Sequence, residues 1–255
     1  MRTKTVAVSS LAILFVIVIW AIIARLTAIP FIIPSPRAVA RDFIYFLFEK
    51  SFAETILPTF YRVLCAFFLS LILSFLLGVC AGLSSVFRTL LTPWLSVIKS
   101  TPVVAVILIA ILWFGSDKVP VFVAILMTLP VMTESTIEGI LKTDKGLLEM
   151  AHAYHFRRID KLLYVQLPSA LPYLLTGAGT SVGLTWKVVI AGEILSIPRH
   201  GIGSEMQTAK IQLETVRVFS LTLLAILISV CTEALFRWLI KQTTKNIVKV
   251  TKKGT

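Results

Sequence analysis

The sequence is poor in charge and almost devoid of residues suited to metal or disulfide chemistry. Only 15% of its 255 residues are Asp, Glu, Lys or Arg, too few to give a soluble chain of this length a polar surface. Cys65, Cys80 and Cys231 all fall inside apolar runs, where they read as small buried hydrophobes and not as disulfide partners. No Cys or His group has metal-ligand spacing, so no metal site is predicted. A Gly-x-x-x-x-Gly-Lys-Ser/Thr loop is missing, which excludes ATP binding by that route. No Ser-His-Asp or paired-carboxylate set can be assigned to one site, so no catalytic residue is predicted and a membrane-embedded enzyme is disfavoured.

What the chain has instead is apolar length. It is 57% hydrophobic, with a mean hydropathy of +0.90, which belongs to the membrane class. The net charge of +12 would suggest nucleic acid in a soluble protein, but here the cations lie in tails and loops, where orientation signals belong. Val6 to Ala24 is an uncharged run of spanning length. A cleaved signal peptide is the weaker reading, because the run exceeds a usual signal core and no clear small-x-small site precedes Pro30. Prolines 30, 34 and 36 then interrupt helix formation. From Arg37 to Ser51, Val39, Phe43, Phe46 and Leu47 recur at helical spacing among charges, predicting an amphipathic helix at the membrane surface.

Val63 to Leu83 is the second uncharged run, and Gly78 and Gly82 form a small-xxx-small pair suited to close helix contact. The third, Thr89 to Phe114, is interrupted by Lys99, Ser100, Thr101 and Pro102. A proline inside a span frees a backbone carbonyl that protein or a water-filled cavity must satisfy. Lys99, Thr101 and Pro102 are therefore candidates for lining a translocation pathway, with a plain structural kink the alternative. The fourth run, Val119 to about Gly139, carries Glu134 and Glu138 on one face near its end, where an interfacial polar end is the favoured reading. The fifth, Leu171 to about Leu195, has a second small-xxx-small pair in Gly179 and Gly183. Its Lys187 and Glu193 are further pathway candidates, against snorkelling or interhelical pairing. The sixth lies within Leu213 to Ile240, uncharged from Val218 to Thr232. The fold class expected is an all-α polytopic membrane protein with about six transmembrane helices.

Between the fourth and fifth runs lies a polar island, EMAHAYHFRRIDKLLYVQLP, from Glu149 to Pro168. It is too charged to enter lipid. Leu147, Leu148, Ala151 and Tyr154 suit one face of a short helix with Glu149 near its N-terminal end, and Phe156 to Tyr164 suits a second. Two short helices held between spans would make a lever.

The spacing in this island resembles the EAA signature of permease subunits of ATP-binding-cassette importers. Glu149, Met150 and Ala151 fill its first three places, Val165 the aliphatic place, and Leu167 and Pro168 the last two. Met150 replaces the usual Ala, and His155 stands where a turn-making Gly is usual; the turn could be built differently here, or His155 could take a left-handed conformation, which is less favourable for it than for Gly. Pro34-Ser35-Pro36, Arg62, Thr101-Pro102, Leu112-Trp113-Phe114-Gly115, Ala191-Gly192-Glu193 and Gly201-Ile202-Gly203 resemble the nitrate, sulfonate and taurine branch of these permeases. The resemblance implies a type I permease fold and docking of an ATPase through Glu149, Met150, Ala151, His155, Val165, Leu167 and Pro168. It also implies no cofactor of the chain's own, with ATP and magnesium bound by a cytoplasmic ATPase subunit dimer. A solute-binding protein outside the cell, a homodimer of permeases and a small solute are the remaining implications, the solute being an anion such as nitrate, a sulfonate or taurine, or a vitamin precursor.

Counting cations near the ends favours both termini in the cytoplasm of a bacterial cell, with six crossings of the inner membrane. The organisation expected is a first helix with its external amphipathic segment over 1–55, a permease domain over 56–240 with its coupling loop at 142–168, and a basic tail over 241–255. That tail would lie beside anionic lipid in preference to RNA. The rival from another class is an autonomous secondary carrier or channel using Glu134, Lys187 or Glu193, but the internal repeats and doubled span number common in such carriers are missing.

Overall fold

The computed structural model describes the backbone of residues 2–27 and 31–253 and the side chains of residues 11–27 and 31–242. Pro30 and the side chains of Arg2, Lys4, Lys245, Lys249, Lys252 and Lys253, on which parts of the signal-peptide and orientation readings rest, lie outside the described residues. Among the described residues every regular element is a helix.

The first, α1 (Arg2–Thr27), contains the apolar run from Val6 to Ala24. Trp20 anchors it, donating from its indole Nε1 to the Pro34 carbonyl at 3.1 Å. The next helix, α2 (Pro36–Leu47), starts where the proline cluster ends, because Pro36 suits the first helical position and the Ser35 hydroxyl accepts from the Ala38 amide. Val39 and Phe46 on its apolar face are buried. Phe46 packs with Leu221 and Leu224 of α11 (Thr215–Lys253), and Arg217 of α11 pairs with Asp42 and Glu49 over the Phe46 ring. The amphipathic face thus has a protein partner, where the sequence suggested the membrane surface.

Four helical stretches are long and apolar enough to cross a bilayer: α3 (Ser51–Leu83), α6 (Val119–Leu141), the continuous stretch Arg158–Ser196, and Thr215–Gln242 of α11. The third expected crossing is broken into α4 (Ser85–Ser100) and α5 (Val103–Trp113), which meet at 99°. Leu11–Thr27 of α1 is a further, shorter apolar helix, so that among the described residues four stretches, or five with the bent pair as one, have the length and composition of a span where about six are expected. The bend falls at Pro102, which forces Thr101 into extended backbone, φ −76° and ψ 129°. The boundary expected at 55/56 lies in the first turns of α3, and that at 240/241 lies inside the unbroken helix α11.

Helix α6 is the centre of the bundle, packed along α3 on one side and α9 (Leu167–Ser196) on the other. A stripe of small residues on α3 (Ala66, Ser70, Ser74, Gly78, Gly82) permits the first approach. A Cβ on Gly78 would lie 2.7 Å from Thr136 Cγ2, and one on Gly82 would lie 2.8 Å from Ile140 Cβ. The second approach uses Gly139 against the Ala170 backbone and Gly192 against Pro120. The expected pair Gly179 and Gly183 does not serve it: their nearest neighbours are the side chains of Ile240 and Glu233 on α11. Their helix face points to a looser contact than the i,i+4 glycine spacing suggested.

Candidate functional site

The polar island forms one separate helix. Helix α7 (Lys145–Ala153) begins at Asp144, whose carboxylate accepts from the Leu147 amide at 3.1 Å. Glu149 is therefore mid-helix and exposed, not at the N-terminal end. Ala151 is buried and Leu148 half-buried, while Leu147, Met150 and Tyr154 are exposed, so the expected apolar face is split. The expected second helix is the overhang of a long one: α8 (Arg158–Lys161) runs through a π turn at Leu162–Gln166 into α9. Pro168, which has no N–H to donate, stands one residue beyond the end of that π turn, after Leu167. Val165 is buried, Leu167 half-buried and Pro168 exposed.

His155 turns the chain after α7 in the left-handed region, at φ 51°. Its amide donates to the His152 carbonyl at 3.0 Å and the Phe156 amide donates to the Ala151 carbonyl at 2.9 Å. These two bonds are the Schellman pair that closes a helix, and His155 occupies the position where glycine is usual. The turn is thus built with glycine-like geometry by a residue that carries a side chain, and the imidazole, like Tyr154, is exposed. The result is an exposed knob of Leu147, Met150, Tyr154 and Phe156 on the end of the bundle where α6 finishes and α9 begins.

At the opposite end, a buried network joins four segments. Arg62 of α3 donates from Nη1 to Glu193 Oε1 at 2.7 Å and to the His200 carbonyl at 2.8 Å, and from Nη2 to Asp117 at 2.8 Å. Thr59, one turn earlier on the same face, donates to Glu193 Oε2 at 2.9 Å and accepts from the Ile202 amide at 2.8 Å. The Gly203 amide donates to the same oxygen at 2.9 Å. Glu193 therefore caps helix α10 (Ile202–Ile211), whose first amides lack any side-chain cap of their own. Arg62 is 7% exposed and Glu193 0%, a burial that charge pairing and full hydrogen bonding make tolerable. Gly201 lets the loop reach the carboxylate, since a Cβ there would lie 2.8 Å from its atoms.

The five pathway candidates thus separate. Lys99, Thr101 and Pro102 meet at the α4–α5 bend, where the Thr101 hydroxyl donates to the Val97 carbonyl at 2.7 Å. Lys99 donates to both carboxylate oxygens of Glu134, at 3.0 and 2.7 Å. Lys187 is exposed on α9 and makes no hydrogen bond or ion pair among the described residues. Glu193 belongs to the network with Arg62 and is the interhelical pairing weighed in its reading. Sequence reasoning missed Thr59 and Asp117 in this network, because no local spacing marks partners more than 50 residues away. It also read Glu134 as an interfacial end, having no way to see Lys99 across from it.

Residues 70–245 match the family described as binding-protein-dependent transport system inner membrane component. The chain is 27% identical to a putative aliphatic sulfonates transport permease protein of Bacillus subtilis, over 90% of this chain and 84% of that one. It is 26% identical to the taurine transport system permease protein of Escherichia coli, over 82% of this chain and 77% of that one. Among solved structures it resembles the crystal structure of an amino acid ABC transporter with histidines, at a TM-score of 0.57 and 18% identity, covering 75% of this chain and 91% of that one, a likeness of fold.

Proposed function

This chain belongs to the family of binding-protein-dependent transport system inner membrane components, and from that premise we propose that it forms the solute pathway of an ATP-driven importer whose ATPase docks on α7. It is a multi-pass membrane protein and a transport component. The finer reading is that a cytoplasmic ATPase dimer, which binds ATP and magnesium, grips the exposed knob of Leu147, Met150, Tyr154 and Phe156 together with Glu149 and His155, while the buried Ala151 seats the helix. A second copy of the chain completes the pathway, and a solute-binding protein delivers cargo at the opposite end. Both termini then face the cytoplasm of a bacterial cell.

The observation that carries this reading is the His155 turn. It holds an exposed, mixed apolar and charged helix rigidly at the junction of α6 and the Arg158–Ser196 helix, two elements packed along their length. A push on α7 becomes tilt of both, because close-packed helices move as units. The Arg62–Glu193 network ties α3, α9 and α10 at the far end, so that tilt is passed to the surface facing the binding protein.

The relatives named for aliphatic sulfonates and taurine favour a small organic anion as cargo, with nitrate and vitamin precursors as the alternatives. Lys99, Thr101, Pro102 and Lys187 are the residues of the pathway in this reading, and Glu193 holds its outer wall in place. The test is a benzophenone photocrosslinker substituted for Tyr154 in membranes that also contain the ATPase. Crosslinking to the ATPase is the expected result; crosslinking to lipid alone overturns the docking assignment.

A further inference from the structure

Lys99 and Glu134 form an ion pair at 2.7 Å with side chains 49% and 46% exposed, inside segments of the chain that cross the bilayer. Facing lipid, two half-exposed charges would carry a heavy desolvation cost, so this surface faces water or protein. The neighbourhood continues the same chemistry. A cleft of about 320 Å³ between α4 and α6 has Arg88, Thr92, Glu134, Glu138 and Lys142 set among the apolar Leu95, Ile137 and Leu141, and leads toward the end that carries α7. Glu138 is held by Lys142 at 2.6 Å, and Lys142 also lies over the Tyr173 ring. The Arg88 guanidinium, half-buried, makes no hydrogen bond or ion pair among the described residues. The cleft therefore offers one cation without a partner in Arg88, and Glu134, which lines it, reaches out of it to Lys99 with about half of its side chain in solvent.

We propose that Lys99 is the anion-binding residue of the pathway and that the Glu134 carboxylate is its displaceable counterion, vacating the Lys99 ammonium when the sulfonate group of a small organic solute arrives. This rests on the importer reading above. A sulfonate and a carboxylate are both oxyanions that accept N–H donors, so either can neutralise the Lys99 ammonium. The exchange keeps Lys99 neutralised in both states, and the displaced Glu134 swings along the cleft toward Arg88. Lys99 sits in the last turn of α4, where a helix terminus favours a cation, so the ammonium keeps a favourable field when Glu134 leaves it.

A merely structural ion pair and an anion site make opposite predictions for the two partners. Breaking a tie from either side does the same damage, whereas removing a counterion and removing a binding group act with opposite sign. The experiment is uptake of ethanesulfonate and of taurine by the complete transporter in proteoliposomes, with permease, ATPase and binding protein together. Glu134→Gln lowers the apparent KM for ethanesulfonate by about threefold or more, and Lys99→Met raises it by about tenfold or more, as expected for a charge-assisted hydrogen bond. The neutral double variant Lys99→Met/Glu134→Gln, which leaves neither partner of the pair as a lone charge, follows Lys99→Met; it decides the matter if the single variant does not assemble. Shifts of the same sign in both single variants, or a double variant with wild-type KM, overturn the proposal and leave the importer reading standing. A wild-type complex that hydrolyses ATP and imports neither sulfonate also overturns it. Failure of the wild-type chain to associate with any ATPase is the separate outcome that removes the importer reading itself.

Discussion

Arg62 and Glu193 are 131 residues apart in the chain and 2.7 Å apart in the bundle, both withdrawn from solvent. Removing Arg62 leaves Glu193 a buried acid without a cation, and removing Glu193 leaves Arg62 only the exposed Asp117, so Arg62→Met or Glu193→Met alone is expected to cost about 3–5 kcal/mol, while the double replacement costs much less than the sum. Thermal unfolding of the purified protein in detergent measures this. Additive losses would mean that the two charges do not depend on each other.

Strain at His155 yields a prediction of the opposite kind. A left-handed residue with a Cβ costs about 1–2 kcal/mol relative to glycine, so His155→Gly is expected to stabilise the α7 turn and His155→Val to weaken it. Hydrogen exchange at the Phe156 amide, which closes the turn on Ala151, reports both. Loss of ATPase association in His155→Gly would show that the imidazole itself is a contact.

Leu213 offers an internal comparison. It occupies the same left-handed position after α10, at φ 60°, with the Glu214 amide donating to the Ala209 carbonyl at 2.8 Å. Leu213→Gly is expected to raise the melting temperature by removing about 1 kcal/mol of strain, with no change in uptake. A lower melting temperature would contradict this account of the turn.

The α6–α9 seam is a matter of size. A Cβ at Gly192 would lie 2.8 Å from the Pro120 Cα, and backbone cannot step aside as a flexible side chain does. Gly192→Val is expected to destabilise by about 1–3 kcal/mol or more through forced separation of the helices, while Gly179→Ala, which meets only Ile240 at 3.7 Å, is nearly neutral. Unfolding midpoints of the two variants check this, and equal midpoints would be the contrary result.

Apolar length made the spans legible, since a run such as Val63 to Leu83 has few alternatives to a transmembrane helix. The island was legible through spacing, but spacing leaves the geometry of the His155 turn open, with the observed left-handed state as one of the ways to build it. Less visible was the face each residue presents: Ala151 turns inward and Tyr154 outward because the π turn at Leu162–Gln166 packs against α7, a tertiary fact that periodicity does not contain. The bend at Pro102 was foreseen, but its 99° was not, because a Pro alone sets where a helix breaks and packing sets how far it turns. Partners across the bundle were the least legible. Glu193 reads as an isolated acid in a span until α3 brings Thr59 and Arg62 to it, and Glu134 as a polar end until α4 brings Lys99.

The central claim is that α7 is where another protein drives this one. Glu149 is exposed in the middle of that helix, away from the Asp144 cap and the His155 turn, so reversing its charge leaves the fold intact. The direct measurement is ATP-driven solute uptake together with co-purification of the ATPase for Glu149→Lys against the unaltered chain in proteoliposomes. A fall of tenfold or more in both, with an unchanged unfolding midpoint, is the result predicted from a reversed charge in a docking contact; association and coupled uptake at wild-type levels would contradict it.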